Sequence, residues 1–528
     1  MHYRSLDLRL TRRLLRSIKR QIREVQGPED EEVAAYYRPY SHELEHSWTR
    51  PILQEDFLAV AVASRLVLVG DFHTLDQAQH TFLRLFKAFA ALGARPIAVL
   101  EMVNVHHDKA IARYLNGRLD EAGFLDELDY MRHWGFDFSH YKPIFDHARE
   151  EGLMIRGLNR DGPLARRDAL MAERIQDLAK AYPTRTLLVQ VGDLHLASSH
   201  LPAELERFGL HGPVLLQNSE AVFMRKLAAR RDPFGWWSLG KARYLSNNTP
   251  PTVKMQTFLT WLEHGGEVLN MLYGHRRATR SWSGEEIDLS DTVARYVKVL
   301  KDYFGLHLKT DDDYQVYLYK DLSFLRHSFF STRLGRAYKA MILDGRPLYI
   351  HQDRTIYLPM LDVNRTVQET MHYLMGAHLP VGRNLGAFMA RIHYFASGYI
   401  ASKMVNPMRH SSSLPEMERA VKDYEGLTRE SDRRKLSRQV QVYGGVLEFF
   451  GTLWPAHRAP APGLSRLLDL DMRAAFSLSE QIGRTIGDDV HRLYDAGRLS
   501  AADLKRYAFT QNDPLFFEVR RLAPGHAT

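Results

Sequence analysis

The sequence predicts an α/β domain with a mainly parallel sheet flanked by helices, followed by a mostly α-helical C-terminal domain. Its 528 residues are more than one hydrophobic core normally organises. Short apolar runs alternate with helical patterns from about residue 55 to 260, and long helical patterns dominate afterwards. We therefore expect a basic N-terminal helix and linker over 1–45, the α/β domain over 46–265, and a helical domain of unknown role over 266–528.

The α/β prediction rests on five short apolar segments without polar alternation. They are RLVLV (65–69), PIAVL (96–100), LMIRG (153–157), TLLVQV (186–191) and PVLLQ (213–217). Helical patterns such as DQAQHTFLRLFKAFAALG lie between them. Strands that are apolar on both faces are typical of a parallel sheet with helices on both sides.

The second half contains longer segments with helical periodicity. We predict helices over 290–304, 363–378, 384–405, 434–453 and 464–495, with a hairpin at 347–358. The segments 409–418 and 454–465 carry the Ser, Pro and Gly residues that favour loops. These patterns indicate a helical domain rather than a second sheet.

Composition excludes several kinds of chemistry. The chain has no Cys, which excludes thiolate catalysis, cysteine zinc sites and disulfides. No apolar run approaches the ~20 residues of a membrane-spanning helix, and Arg and Lys interrupt the N-terminal segment where a signal peptide would be apolar. We therefore expect a cytoplasmic protein. The net charge of +8 comes with no nucleic-acid-binding motif, so we expect no nucleic-acid partner.

The N-terminal segment predicts a basic amphipathic helix. Its apolar stripe consists of Leu10, Leu14, Ile18, Ile22 and Val25, and Arg and Lys side chains surround it. Such a helix can pack its stripe on the protein body, which is the commoner case and the one we favour. The alternative is a peripheral contact with an anionic membrane surface.

One sequence pattern occurs twice, at the ends of two predicted strands. An apolar run is followed by Gly-Asp-x-His at Asp71 and His73 and again at Asp193 and His195, and Glu101 follows the strand at 96–100. Ligands of open parallel sheets bind beyond the carboxyl ends of the strands. We therefore predict one site at this edge. Asn159 and Arg160, after the strand at 153–157, are candidate substrate contacts.

Two kinds of chemistry fit these residue types. Asp71, His73, Glu101, Asp193 and His195 form a ligand set for Zn, Mn or Fe. Without metal, a His held by a carboxylate can act as a general base on water, and His73, Glu101 and His195 are then the candidate catalytic residues. The structural alternative is that each His or Asp makes an ordinary hydrogen bond or helix cap.

Three other motifs have competing structural explanations. The aromatic residues of WGFDFSHYKPIF (134–145) can line a pocket, but we favour core packing. The segment 232–245, with Trp236 and Trp237, fits a buried hairpin as well as an interface or lid. Glu369 and His372 share a helix face, but without a second copy of the motif a buried core histidine is the better prediction.

Several ordered motifs resemble the ChaN-like haem-binding-uptake family of the Tiki/TraB and erythromycin-esterase-like superfamily. They are GDFHTLDQAQ, LEMV, WGFDFSHYKPIFDHAREEGLMIRGLNR and VGDLHLASSHLP, with QNSEAVFMRKL and NNTPPTVKMQTFLTWLE towards the end of the same domain. The resemblance covers about residues 50–265. It assigns the superfamily pattern to Gly70, Asp71, His73, Glu101, Gly192 and His195. The acid at position 71 is Asp, where Glu is common.

The resemblance implies several functions, which stay open. Tiki-like members are metal-dependent peptidases, and erythromycin-esterase-like members use the His as a base for water. ChaN-type members handle haem or iron and hold haem between two subunits, so it also implies a homodimer. The ligand would be a small molecule, a peptide or haem, and no haem-ligating Tyr can be assigned; Tyr141 is expected to pack with Trp134 and Phe138. The remaining alternative is a catalytically inactive interaction or regulatory protein whose helical half binds a partner.

Overall fold

The computed structural model describes residues 8–26, 31–160, 162–272, 290–306, 314–318, 322–359, 362–382, 384–427, 430–453 and 472–510. The chain divides into two compact units. The α/β unit spans Leu15–Glu286, and the helical unit comprises Ile287–Thr528 together with Met1–Leu14. Helix α1 (Leu8–Gln26) therefore has residues in both units.

The α/β unit contains one eight-stranded sheet. Its strands are β1 (Arg50–Ile52), β2 (Leu66–Asp71), β3 (Ile97–Asn104), β4 (Met154–Asn159), β5 (Leu187–Gly192), β6 (Val214–Gln217), β7 (Gly235–Gly240) and β8 (Arg243–Asn247). The strand order is β1-β7-β8-β6-β2-β5-β3-β4. The pairings from β8 to β4 are parallel, whereas β7 is antiparallel to β1 and β8. The prediction of a mainly parallel sheet is confirmed. Strands β7 and β8 form a hairpin, which was one of the alternatives for 232–245.

Helices connect these strands. They are α2 (Glu31–His46), α3 (Gln54–Val62), α4 (Asp76–Ala91), α5 (Asp108–Leu115), α6 (Glu121–Glu127), α7 (Tyr130–His133), α8 (Lys142–Glu151), α9 (Leu164–Ala181), α10 (Leu201–Glu206), α11 (Glu220–Ala228) and α12 (Pro251–Leu272). Helix α4 illustrates the packing, because Phe82, Phe86 and Phe89 follow helical spacing and are fully buried. Burying each such side chain contributes about 1.5–3 kcal/mol.

Side chains alternate between two hydrophobic cores on the two faces of the sheet. In β2, Val67 and Val69 belong to one core, and Leu66 and Leu68 belong to the other. Both sets are buried, as expected for a parallel sheet covered on each side. The apolar character of the predicted strands therefore follows from burial on both faces.

Several of the predicted strands end later in the structure than the apolar runs do. Strand β3 continues past residue 100 to Asn104, so Glu101 lies inside the strand rather than after it. Strand β2 likewise includes Gly70 and Asp71. An apolar pattern cannot reveal this extension, because Glu101 is a buried carboxylate whose hydrogen-bond donor, the Gly192 N–H, lies on another strand.

The helical unit confirms the prediction of a mostly helical second half. Its helices are α13 (Ser290–Phe304), α14 (Arg333–Leu343), α15 (Val363–Met375), α16 (Leu385–Val405), α17 (Leu414–Glu425), α18 (Glu430–Glu448), α19 (Met472–Asp495) and α20 (Ala501–Phe509), and a π-helical turn Phe449–Leu453 follows α18. A small sheet contains β9 (Gln315–Leu318), β10 (Leu348–Ile350) and β11 (Thr355–Leu358) in the order β10-β11-β9. Strands β10 and β11 form the predicted hairpin.

Two boundaries in this unit differ from the predictions. Helix α15 ends at Met375 because Gly376 adopts a left-handed conformation with φ of 58°, so His378 lies outside the helix. The segment predicted as a loop at 409–418 is helical from Leu414, where Ser413 and Glu416 form a capping box. The predicted loop at 454–465 and the start of the predicted helix at 464 lie outside the described residues.

His372 is a buried core histidine, as predicted. Its Nδ1 lies 3.0 Å from Glu369 Oε2, and its Nε2 lies 2.9 Å from the carbonyl oxygen of Tyr394. Both ring nitrogens therefore have partners, and the side chain is fully buried. Nothing in this arrangement leaves a coordination position for a ligand.

Four of the five residues of the apolar stripe of α1 are packed inside the protein, whereas Val25 is exposed. Leu10 and Leu14 lie in the hydrophobic core of the helical unit, while Ile18 and Ile22 pack with Leu259 of the α/β unit. The packing interpretation of this helix therefore holds over these residues. None of the helices in the described ranges has the length and apolar character needed to cross a membrane.

Candidate functional site

The carboxyl ends of the central strands bring the predicted residues to one edge of the sheet. Asp71, the last residue of β2, lies opposite Gly192, the last residue of β5. His73 follows β2, and His195 lies in a short 3-10 segment that follows β5. Glu101 comes from β3, the other neighbour of β5. The repeated sequence pattern thus marks the ends of two adjacent parallel strands.

Glu101 contacts His195 directly and lies near His73. Its Oε1 lies 3.5 Å from Nε2 of His195, and its Oε2 accepts a hydrogen bond of 2.6 Å from the backbone N–H of Gly192. A Cβ placed on Gly192 would lie 3.3 Å from Nε2 of His73 and 3.5 Å from Oε2 of Glu101. Both groups therefore lie next to Gly192, whose missing side chain leaves room for them.

Asp71 holds His73 in place, and two hydrogen-bond donors in turn hold Asp71. Nδ1 of His73 lies 3.0 Å from Oδ2 of Asp71. Asp71 also accepts hydrogen bonds from the Tyr141 hydroxyl at 2.8 Å and the Gln79 amide at 2.6 Å. Asp71 is almost completely buried, whereas 23% of the His73 side chain is exposed. The imidazole is therefore oriented from one side and accessible from the other.

Aromatic side chains surround the ring of His73. The ring centroid of Trp134 lies 4.5 Å away and that of Phe136 lies 4.9 Å away. Phe136 in turn stacks on Trp261 of α12 at 4.7 Å. Phe138, by contrast, is fully buried in the core. The core-packing prediction for 134–145 therefore holds for Phe138 and for Trp134, which packs against the same core. Trp134 and Phe136 also border the site.

His195 is held by a second carboxylate. Its Nδ1 lies 2.7 Å from Oδ1 of Asp168 on α9. The Tyr36 hydroxyl of α2 donates to the other Asp168 oxygen at 2.8 Å, and its oxygen lies 2.7 Å from His195 Nδ1. His195 and Asp168 are buried. The imidazole of His195 therefore lies between the carboxylates of Glu101 and Asp168.

This arrangement shifts the pKa values of the groups that form it. Burial alone would lower the pKa of His195, but Glu101 and Asp168 raise it to about 9. Burial would raise the pKa of Glu101, but His195, His73 and the Gly192 N–H lower it to about 2. Burial opposes protonation of His73, yet Asp71 and Glu101 raise its pKa as well. The site therefore favours charged imidazolium–carboxylate pairs at neutral pH.

The structure does not bring Asp193 to the two imidazoles. One carboxylate oxygen lies 3.4 Å from Nζ of Lys254, which also lies 4.4 Å from the centroid of the Phe72 ring. The other oxygen lies where a Cβ on Gly70 would be, so Gly70 is needed for this close approach. Burial raises the pKa of Asp193 to about 6 although Lys254 lowers it. Asp193 is thus part of a separate buried pair.

The two candidate substrate contacts lie in different surroundings. Asn159 ends β4 and lines a small cavity together with Trp134 and Met102. Arg160 points to α9, where it pairs with Glu173 at 3.2 Å and Asp177 at 3.6 Å. Asn159 therefore lines the same cavity as an aromatic neighbour of His73, whereas Arg160 makes its ion pairs with α9.

The metal-ligand prediction has no geometric support in the described part of the chain. No group of three or more His, Asp or Glu side chains there has the arrangement of a metal site. Each imidazole nitrogen that faces a carboxylate makes a hydrogen bond or an ion pair instead. The predicted ligand set of Asp71, His73, Glu101, Asp193 and His195 therefore stays a prediction.

Four residues of the site were missing from the sequence prediction. Tyr36 and Asp168 come from helices, and Gln79 comes from the first turns of α4. Tyr141 does contact Trp134 as expected, at 6.2 Å between centroids, but its hydroxyl also binds Asp71. Only Gln79 carried a usable signal, since it is a polar residue on the buried face of an amphipathic helix.

Comparisons with known proteins give one match to a known family, over part of the chain. A search of curated proteins gave no match. Among solved structures, one described as cofacial heme binding to ChaN of Campylobacter jejuni is similar, with 12% identity and a TM-score of 0.27 over 32% of this chain and 88% of that chain. A TM-score this low carries no inference about the site. Residues 57–167 match the family described as haem-binding uptake, Tiki superfamily, ChaN, so the predicted resemblance is confirmed over these residues.

Proposed function

We propose that the α/β unit binds haem and that His73 is the residue that ligates its iron. The observation that carries this proposal is the environment of one imidazole. Nδ1 of His73 is fixed by Asp71, and the ring is partly exposed between Trp134 and Phe136. Histidines that ligate metals usually bind a carboxylate through their other ring nitrogen, which fixes the ring and increases its basicity. The family match over residues 57–167 supports the same ligand class.

The residues around His73 also fit a porphyrin. Trp134, Phe136 and Trp261 offer aromatic surface next to the imidazole. Such surface favours a flat conjugated ligand through burial of apolar area and ring contacts. Haem would supply an iron centre for binding or transfer. This chain's part is to orient the imidazole through Asp71 and to limit access of water through the aromatic residues.

A haem titration of the whole chain tests the proposal. We expect His73→Ala to weaken ferric haem binding by at least about tenfold and to change the Soret maximum, because the iron loses its protein ligand. His80→Ala is the matched control, since His80 also lies near an Asp, with Nδ1 3.5 Å from Oδ2 of Asp76, but on the exposed side of α4. Equal haem affinity and spectra in the wild type and His73→Ala would refute His73 as the ligand.

A second candidate function is hydrolysis of an ester or peptide bond by activated water. The observation that favours it is the position of Glu101 between the two imidazoles, each of which has a further carboxylate partner. In this proposal His73 is the base that takes the proton from water, which requires the neutral imidazole present above its raised pKa. Asp71 orients the ring, and Glu101, paired with His195, stabilises the imidazolium that forms. Asn159 is then the nearer of the two candidate substrate contacts.

Turnover of a nitrophenyl ester and of a generic peptide tests this second function, with and without Mn, Zn or Co. We expect turnover that falls to background in His73→Ala and persists in His80→Ala. Metal analysis of the purified chain separates a metal-dependent reaction from a metal-free one. Turnover that is the same in His73→Ala as in the wild type would exclude this mechanism.

Dimerisation and membrane contact remain predictions. The homodimer follows only from the resemblance, and sedimentation with and without haem would detect it. A membrane contact through α1 would require its stripe to leave the protein, because Leu14, Ile18 and Ile22 are buried. We therefore expect no binding to anionic vesicles while the chain is folded.

A further inference from the structure

The helical unit contains a cavity of about 710 Å³ lined by basic side chains. Its walls include Arg346 after α14, Arg365 on α15, and Ser477, Glu480 and Arg484 on α19. This volume lies within the range of pockets that hold small organic molecules. The cavity belongs to the part of the chain to which the proposed haem function assigns no role.

Two guanidinium groups share one carboxylate in this cavity. Arg346 Nη1 lies 3.3 Å from one oxygen of Glu480, and Arg484 Nη2 lies 2.5 Å from the other. Arg346 also donates to the Ser477 hydroxyl at 2.5 Å. Glu480 therefore orders both side chains, but it neutralises only one of the two charges.

Further positive charge lies close to this pair. Arg409 donates to Gln368, which lines the cavity, and Arg365 contacts Asp362 only at 3.6 Å. Arg484, Arg346, Arg365 and Arg409 together lower the pKa of Glu480 against the effect of burial. Burial and the neighbouring Arg484 lower the pKa of Arg409 to about 10. The guanidinium groups therefore repel one another, and a bound anion would relieve this repulsion.

Unused hydrogen-bond donors accompany the charge. The Nε of Arg484 is buried and has no hydrogen-bond partner among the described residues. A guanidinium group has five N–H donors, so Arg365 and Arg484 retain several beyond the contacts above. Planar guanidinium groups bind carboxylate and phosphate oxygens in pairs. The cavity lining holds two carboxylates, Glu480 and Asp344, against Arg346, Arg365 and Arg484.

One wall of the cavity is apolar. Met341, Leu348, Leu379 and Phe395 line it, and all four are buried members of one hydrophobic cluster. An inorganic ion would not use this wall, whereas an organic anion can place its carbon skeleton there.

We propose that this cavity binds a small organic anion, with its phosphate or carboxylate group between Arg346, Arg365 and Arg484 and its apolar part against Phe395 and Leu379. The site goes beyond the haem function of the α/β unit and gives the helical unit a ligand of its own. No covalent step is involved. The recognition requires a negatively charged oxygen group attached to an apolar body.

Calorimetric titration of the full chain with phenyl phosphate and phenylacetate tests this site, because the two probes carry a similar ring with different anions. We expect at least one to bind with a dissociation constant of about 1 mM or below. The better probe identifies phosphate or carboxylate as the preferred group. Arg365→Gln should weaken binding by about tenfold, while Glu480→Gln should strengthen it because a competing carboxylate is removed.

Arg336→Gln is the matched control. Arg336 is an exposed arginine of α14 in the same unit and does not line the cavity. Its replacement removes the same charge and should leave binding unchanged. The proposal is overturned if neither probe binds the wild type at millimolar concentration, or if Arg365→Gln and Arg336→Gln weaken binding equally. Because Arg365 is only partly buried, its variant should fold, and circular dichroism verifies this.

Discussion

Glu101 in the α/β unit and Glu480 in the helical unit show how the same side chain serves two kinds of site. Positive neighbours lower the pKa of both carboxylates. The neighbours of Glu101 are imidazoles, of which His195 loses its charge as pH rises to about 9, whereas those of Glu480 are guanidinium groups, which stay charged. The difference indicates that the α/β site can respond to pH and exchange protons, while the helical cavity is permanently positive.

The largest expected effect is the loss of Glu101. Its removal leaves His195 and the Gly192 N–H without their buried partner, so we expect Glu101→Ala to lower the free energy of unfolding of the α/β unit by about 3–5 kcal/mol. Glu480→Ala should cost the helical unit only about 1–2 kcal/mol, because Glu480 and its arginines are partly exposed. Native-state hydrogen exchange in peptides of β3 and α19 measures each unit separately. Equal losses of unfolding free energy in the two variants would contradict this difference between the two sites.

Alkaline pH should affect the α/β unit next most strongly. The pKa of His195 is about 9 in the folded chain and about 6.5 when unfolded. Its protonation therefore contributes fully to the free energy of unfolding below pH 6.5, and this contribution is lost as pH rises to 9. We expect a loss of up to about 3 kcal/mol over this range. Exchange measured in β5 peptides should show it, and His195→Gln should flatten the profile. A parallel loss in α19 would contradict the assignment to the imidazole site.

Mild acid should affect the helical unit instead. Burial and Lys403 lower the pKa of His491 to about 3, so this residue favours the folded state above pH 6.5 and opposes it as pH falls. Between pH 6.5 and 5 we expect a loss of about 2 kcal/mol in α19, which His491→Asn should abolish. Asp193, whose pKa is raised to about 6, favours the folded α/β unit as pH falls through that value. Opposite pH dependences of the free energy of unfolding in the two units would support this difference between them, and identical dependences would contradict it.

The smallest effect concerns Tyr141. Removing its hydroxyl takes one of the hydrogen bonds from Asp71, so Tyr141→Phe should cost the α/β unit about 1 kcal/mol. Because Asp71 then becomes a stronger acceptor, the pKa of His73 should rise further, which NMR titration of the imidazole measures. Phenyl phosphate binding to the helical unit should not change. A change there would show that the two sites are not independent.

The sequence predicted the sheet and the core of the site because both follow from strand ends. Apolar runs identify the strands, and parallel pairing brings their carboxyl ends together. This places Asp71, His73, Glu101 and His195 at one edge, although Glu101 lies inside β3 rather than after it. Asp193 was misplaced because the residues after β5 form a 3-10 turn, which directs Asp193 to Lys254 and His195 to Glu101. The sequence of a loop does not show where each of its side chains will point.

Other parts of the site depend on tertiary packing that no local pattern records. Asp168 looks like any polar residue of an amphipathic helix, and Tyr36 precedes His195 by 159 residues. The arginines of the helical cavity are equally ordinary in sequence, since Arg346, Arg365 and Arg484 come from three separate segments. These residues form a site only because the fold brings their segments together.

The division of α1 between two hydrophobic cores has a consequence for anyone who tries to express the halves of this protein separately. Leu10 and Leu14 complete the core of a unit whose other residues begin nearly 280 positions later. A fragment that starts at residue 287 would therefore leave an apolar groove open and should aggregate. Adding a synthetic peptide with the N-terminal helix, or circularly permuting the gene so that this helix follows the C-terminus, should restore solubility.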